Sequence, residues 1–210
     1  MAISARSDSQ STGIGLFGLG VVGSAVASAI STRHNSDDPS IPLNVVAAVV
    51  RDTSRNRDAL IDSSIISADP ESVIANPEIG VVVELMGGVD PAFDYITRSL
   101  HAGQHVVTAN KEVMAKRGSE LLATASTNGV HLFYEASVAG GIPIIGPLMN
   151  DLGGNKIQSV RGIINGTTNF ILTKMAHEGS DFDDVMAEAQ SLGYAEADPT
   201  ADVDGFDALY

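Results

Sequence analysis

Three groups of residues have types and spacings that could do chemistry. Lys111 stands in the run Val107-Thr108-Ala109-Asn110-Lys111-Glu112, directly after a strand-like stretch from Gln104 to Thr108. A lysine at a strand's carboxyl end, in a fold that binds ligands at that edge, can present a point charge to a developing anion. Gly18, Gly20 and Gly23 form G-x-G-x-x-G directly after an apolar run and ahead of a helical one. The third group is the acidic run from Gly193-Tyr194-Ala195-Glu196 through Asp198 and Asp202 to Asp207.

The glycine spacing has the required context of a dinucleotide loop. The first glycine permits a tight turn, the second lets a pyrophosphate reach the backbone, and the third lets helix and strand pack closely. Free amides at the helix start, at Val21 and Val22, then supply the positive end that an anion needs. NAD and NADP are told apart at the end of the second strand, by an acid on the ribose hydroxyls or by arginine on a 2′-phosphate. Arg51, Arg55 and Arg57 cluster there in a chain with only 12 Lys+Arg. NADP(H) is therefore favoured over NAD(H), with Arg51 as the principal contact. Asp52 holding NAD in a solvated loop is the other reading of the same stretch. Glu84 ends a third strand at the same edge and is a further candidate for the ribose or nicotinamide.

These residues need elements to position them. Strands are expected at Gly13–Phe17, Leu43–Val50, Val81–Leu85, Gln104–Thr108 and Val130–Tyr134, with helices at Val21–Ile30, from Asp90-Pro91 to about His101, and near Ser119–Thr127. Asp90 is expected to cap its helix and Pro91 to take the first helical position. Strands alternating with helices predict an α/β fold, a Rossmann-type doubly wound parallel sheet. The texture changes near Gly140-Gly141-Ile142-Pro143. Beyond it come a predicted strand at Ile157–Ile164, the turn Asn165-Gly166-Thr167-Thr168 with a helix to about His177, and a second helix carrying Phe182, Val185, Met186, Ala189 and Leu192 on one face. The expected division is a flexible tail at 1–12, a dinucleotide-binding domain at 13–140, and the start of an α+β substrate-binding and dimerisation domain at 141–210.

Composition narrows the class. Hydrophobic residues make up 44% and aromatics 5%, with 21 glycines and no tryptophan, which suits an α/β enzyme rich in Val, Ile and Ala. The net charge of −14 argues against nucleic acid and anionic membranes as partners. The absence of cysteine excludes disulfides and thiolate chemistry, and it fits a cytoplasmic protein. Residues 1–12 lack the apolar stretch of a secretory signal, and no run of about 18 apolar residues suggests a membrane span. Asp202-Val203-Asp204-Gly205 looks like part of a calcium loop, but the first loop position would be Thr200 rather than Asp.

The glycine fingerprint, Glu84-Leu85-Met86-Gly87-Gly88, Thr108-Ala109-Asn110-Lys111, the stretch from Tyr134 to Pro143, Gly162-Ile163-Ile164-Asn165-Gly166-Thr167-Thr168-Asn169 and the run from Gly193 to Asp207 occur in this order. Together they resemble homoserine dehydrogenase over roughly residues 13–210. The resemblance implies NAD(P)H-dependent reduction of L-aspartate-4-semialdehyde to L-homoserine, on the route to threonine, methionine and isoleucine, in a homo-oligomer acting on a small-molecule substrate.

Carried over residue by residue, the resemblance gives Lys111 a place beside substrate and nicotinamide as the catalytic cation. It gives Gly18, Gly20, Val21, Val22, Gly23, Arg51, Glu84, Thr108, Lys111 and Gly193 to the cofactor, and Glu196, Asp202 and Asp207 to the amino-acid substrate. Gly193 also suits a helix C-cap. Glu135, with the carbonyls of Val138, Gly140 and Ile142, matches the family's monovalent cation site, usually sodium. The family's last motif continues with a lysine three residues beyond Ala208, at position 211, as the usual proton donor. The 210 residues are thus read as an amino-terminal part, whose own activity is expected to fall short of its parent's. The alternatives are an inert dinucleotide-binding module and another semialdehyde or imine reductase on the same frame.

Overall fold

The computed structural model describes residues 11–34, 43–55, 61–195 and 198–210. The chain divides into two compact units, Met1–Ile145 and Gly146–Tyr210.

The first unit contains β1 (Thr12–Phe17), α1 (Val21–His34), β2 (Leu43–Val49), β3 (Ile66–Ser67), α2 (Glu71–Ile74), β4 (Ile79–Glu84), α3 (Ala92–His101), β5 (His105–Thr108), α4 (Lys111–Asn128) and β6 (Leu132–Phe133). All pairings are parallel and the sheet order is β3-β2-β1-β4-β5-β6. This is the doubly wound α/β architecture, and the order reverses between β1 and β4. Ligands of such sheets bind in the crevice at that reversal, at the carboxyl ends of the strands.

The period-two alternation of the strands supplies both faces. Ile14 and Leu16 of β1 pack with Ala48, Val81 and Val83 against the α1 side, where Ala27 and Ile30 meet them. Phe17 points the other way, with Val49, Val82 and Val106, toward Ile96 and Leu100 of α3 and Val113 and Leu121 of α4. Leu16, Phe17, Ile96, Leu100 and Leu121 are fully buried, and each such side chain contributes roughly 1.5–3 kcal/mol of apolar burial. Helix α3 forms because Ala92, Ile96, Ser99 and Leu100 recur on one buried stripe.

Two expectations about helix starts are corrected. Asp90 does not cap α3: Pro91 occupies the cap position, and no side chain bonds the first amides. Helix α4 begins eight residues earlier than Ser119, at Lys111, because Asn110 caps it by accepting from the Val113 N–H (3.1 Å). Gly118 inside that helix does not end it, since Glu112–Lys116 and Arg117–Glu120 pairs span the surrounding turns.

The second unit holds a π-helical turn at Pro147–Asp151, then α5 (Gly166–Glu178), α6 (Phe182–Ser191), α7 (Thr200–Val203) and α8 (Phe206–Leu209). Helices α5 and α6 close on each other through Ile171, Val185, Met186 and Ala189. Lys174 donates to both Glu188 oxygens (2.7 and 2.6 Å) across the same seam. The strand expected at Ile157–Ile164 is absent. That stretch is exposed chain without regular secondary structure, because β-branched residues make a strand only beside a partner, and no strand is present among the described residues of this unit. No helix among the described residues is long and apolar enough to cross a membrane.

Candidate functional site

The loop between β1 and α1 is built as the glycine spacing requires. Gly18 turns at φ +100°, a conformation closed to most side chains, and a Cβ there would lie 3.0 Å from the Leu85 carbonyl oxygen. At Gly23 a Cβ would meet the Gly18 carbonyl oxygen at 2.2 Å, so only glycine lets α1 start this close to β1. Gly20 is different: a Cβ there meets nothing within 4 Å. Its carbonyl accepts the first helical bond, from the Ser24 N–H (2.9 Å). Helix α1 therefore opens at Val21 with the amides of Val21, Val22 and Gly23 lacking helical acceptors. Val21 and Val22 are exposed around them, while Leu19 is buried and anchors the loop.

Backbone bonds lace the neighbouring strand ends to this loop. The Gly18 N–H donates to the Val49 carbonyl (2.9 Å) and the Leu85 N–H to the Phe17 carbonyl (2.8 Å). Glu84, at the end of β4, is fully buried. Its Oε1 accepts from the Met86 N–H (2.7 Å) and its Oε2 from the Thr108 hydroxyl (2.5 Å). Burial pushes this carboxyl above the usual range, and the hydrogen bonds from Thr108, Met86 and Asn110 work against that rise. Thr108, also fully buried, accepts in turn from the Asn110 N–H (3.0 Å). The Asn110 side chain donates to the Gly88 carbonyl (2.8 Å) while capping α4. Glu84 and Thr108 thus have their side chains committed to each other, holding the edges of β4 and β5 together.

Lys111 is the first residue of α4 and half-buried. A cation at a helix amino terminus opposes the macrodipole by about 0.3–1 kcal/mol. Arg51 is exposed just past β2, and beside it Asp52 Oδ1 accepts from the Ser54 N–H (2.9 Å) and hydroxyl (2.6 Å). Arg57 lies outside the described residues.

After β6, Glu135 opens a short 3₁₀ turn, and its Oε1 accepts from the amides of Ile144 (2.5 Å) and Ile145 (2.8 Å). Ala139 and Gly140 both take positive φ, 56° and 58°, which curls Val138–Ile142 inside that closure. Carboxylate and carbonyl oxygens are the donor types a hard cation takes, so the residues present fit such an ion in chemistry. No cluster of three or more His, Cys, Asp or Glu able to hold a metal occurs among the described residues.

The acidic run of the second unit borders a cavity of about 540 Å³ lined by Asn165, Thr167, Phe170, Tyr194, Asp202 and Asp207, among others. Asp202 and Asp207 sit in the first turns of α7 and α8. Asn165, which sequence reasoning quoted but gave no role, joins them: its Nδ2 donates to Asp202 Oδ1 (2.8 Å) and Asp207 Oδ2 (2.9 Å). Asp198 also lines the cavity, and it accepts from the Thr200 hydroxyl and N–H, which hold its carboxyl below the usual range. Gly193, at φ +77°, closes α6, its N–H donating to Gln190 and that of Tyr194 to Ala189. The helix-stop reading of Gly193 therefore has direct geometry behind it. Glu196 lies outside the described residues.

A family model described as "Homoserine dehydrogenase, NAD binding domain" matches residues 18–135, and one described as "Homoserine dehydrogenase" matches residues 143–210. The homoserine dehydrogenase of Synechocystis is 47% identical over 195 residues, covering 93% of this chain and 45% of that protein. That of Bacillus subtilis is 45% identical, covering 93% and 46%. The chain spans about half the length of these relatives. Among solved structures, a homoserine dehydrogenase from Thiobacillus denitrificans superposes with a TM-score of 0.84 at 45% identity, over 95% of this chain and 46% of that one. A hyperthermophilic archaeal homoserine dehydrogenase in complex with NADPH gives 0.81 at 31% identity, over 96% and 67%. With sheet order, glycine loop and acidic run all in agreement, the chain belongs to the homoserine dehydrogenase family.

Proposed function

We propose that these residues form the dinucleotide-binding domain and the opening part of the substrate-binding unit of an enzyme that reduces L-aspartate-4-semialdehyde to L-homoserine. The observation that carries the reading is Lys111, a cation held at the amino terminus of α4, at the same sheet edge as the glycine loop. The dinucleotide, when bound, supplies the hydride that adds to the aldehyde carbon. Amides at the start of α1 hold its pyrophosphate, and Lys111 offsets the negative charge that gathers on the aldehyde oxygen. Glu84 and Thr108 serve from behind, fixing the edge on which Asn110 and Lys111 stand. Asp202 and Asp207, with Glu196, take the substrate's ammonium group.

NADP(H) is the proposed cofactor in preference to NAD(H). Arg51 is exposed past β2, at the strand end where a 2′-phosphate would lie. The relative solved with NADPH supports the same direction. The Glu135 turn is proposed for a monovalent cation such as sodium, on donor chemistry alone. A homo-oligomer is proposed from the family reading; Val160, Ile163 and Ile164, exposed at 67%, 76% and 75%, form an apolar stretch suited to burial against more protein, of the same chain or another. A cytoplasmic setting in threonine, methionine and isoleucine synthesis follows from the same family reading.

The test is a steady-state assay on a protein that carries these 210 residues at the full length of its relatives. NADPH oxidation should depend on the semialdehyde, and Lys111→Ala should lower kcat about a hundred- to thousandfold with little change in cofactor affinity. Near-normal kcat with only a raised KM would show that Lys111 merely binds substrate.

A further inference from the structure

We infer that Asn165 is a positioning residue that sets the two carboxylates of the acidic cavity, Asp202 and Asp207, in register for a cationic group on the substrate. The inference rests on the substrate reading above and adds a residue to it. Asn165 precedes α5, with extended backbone at φ −137° and ψ 122°, and is buried to 8% exposure. Its Oδ1 accepts from the Thr168 N–H (2.7 Å) and from the Thr168 hydroxyl (2.8 Å). A backbone N–H can only donate, so it fixes which end of the amide faces the helix. The Nδ2 must then face outward, and its two hydrogens go one to each carboxylate, across 37 and 42 residues of chain.

The choice of an amide has a physical consequence. Arginine or lysine at this place would neutralise the pair it holds, and the pair would lose its attraction for an ammonium. A neutral donor orients both carboxylates without cancelling their charge. A carboxylate accepts at about four lone-pair sites, so a bond to Asn165 does not by itself saturate either one. Asn165 also ties the cavity to the rigid end of α5, since a side chain locked by its own cap has little rotamer freedom left to lose.

Capping and positioning can be separated by substitution. Serine and aspartate are both good caps, so Asn165→Ser and Asn165→Asp keep the start of α5. Serine is too short to reach both carboxylates, and aspartate places a third acceptor against two others. In the full-length protein each variant should raise KM for the amino-acid substrate about ten- to a hundredfold, as expected for losing a hydrogen bond to a charged group. KM for the dinucleotide should stay within about twofold, and the melting temperature within a few degrees.

Unchanged substrate KM in Asn165→Ser would overturn the inference. So would a parallel loss of substrate KM, cofactor KM and melting temperature, because that is the signature of a cap alone. If the unsubstituted protein does not reduce the semialdehyde, the functional reading fails by itself. The clamp is then read by calorimetry with L-homoserine as the probe. Binding that weakens in both variants supports it, and equal or absent binding in all three proteins overturns it.

Discussion

Replacing Gly20 and Gly23 by alanine, one at a time, separates ligand approach from internal packing in the β1–α1 loop. At Gly23 the new methyl lies 2.2 Å from the Gly18 carbonyl oxygen, a backbone atom that cannot swing aside. Helix and loop must part by about 1 Å, and overpacking of this kind costs about 1–3 kcal/mol. In a chain of this size that lowers the melting temperature by roughly 2–4 °C per kcal/mol. At Gly20 nothing lies within 4 Å, and φ is not in the left-handed region. Losing glycine at the cap costs some tenths of a kcal/mol, and the stiffer unfolded chain offsets part of it, so stability should change by less than about 1 kcal/mol. Binding should nevertheless suffer, because the methyl fills the space through which a pyrophosphate reaches the amides. One lost charge-assisted bond corresponds to about a ten- to hundredfold weaker Kd. Calorimetric titration of NADPH, paired with thermal unfolding, reads both quantities on the same samples. Wild-type affinity in Gly20→Ala would refute the placement of the pyrophosphate on this loop, whatever Gly23→Ala does.

Arg51→Ala should weaken NADP(H) about ten- to a hundredfold and leave NAD(H) nearly unchanged; an equal loss for both, measured by titration, would sink the 2′-phosphate assignment. Glu84→Gln should remove a pH-dependent part of stability. Because burial raises the folded carboxyl above its unfolded value of about 4.3, Glu84's contribution is complete below that pH and is lost as pH rises through the folded pKa. Urea midpoints should therefore show the wild type gaining on Glu84→Gln as pH falls toward about 4.3, and a constant difference would refute burial as the dominant influence on Glu84.

The glycine loop was legible because its rules are local: each glycine answers a contact within a few residues or at a neighbouring strand end. Strands β1, β2 and β4 were legible for a related reason, since a buried parallel strand must be apolar along its whole length. The start of α4 was not, because Gly118 interrupts the helical pattern and the cap bond from Asn110 to Val113 is only a spacing until it is seen. The Ile157–Ile164 stretch shows the opposite limit. Its β-branched residues state a preference for a pleated surface, but pairing belongs to the neighbour, and sequence cannot supply one. Asn165 was missed because its function is a matter of distance in space. Two carboxylates 37 and 42 residues away cannot be inferred from a motif that reads locally as a helix start.

What sequence and structure share most clearly is the location of broken rules. Lys111 puts a cation at the positive end of a helix, and Glu84 puts a carboxylate in full burial. Val21 leaves an apolar side chain 92% exposed at a helix start. Local conflicts of this kind are expected where a site is maintained for something other than stability. All three lie at the carboxyl ends of β1, β4 and β5, around the reversal of the sheet. A bound anion would use the amides beside Val21, and a developing negative charge would use Lys111. Glu84 fits the same logic from inside, since its two bonds fix the strand ends that hold the other two in place.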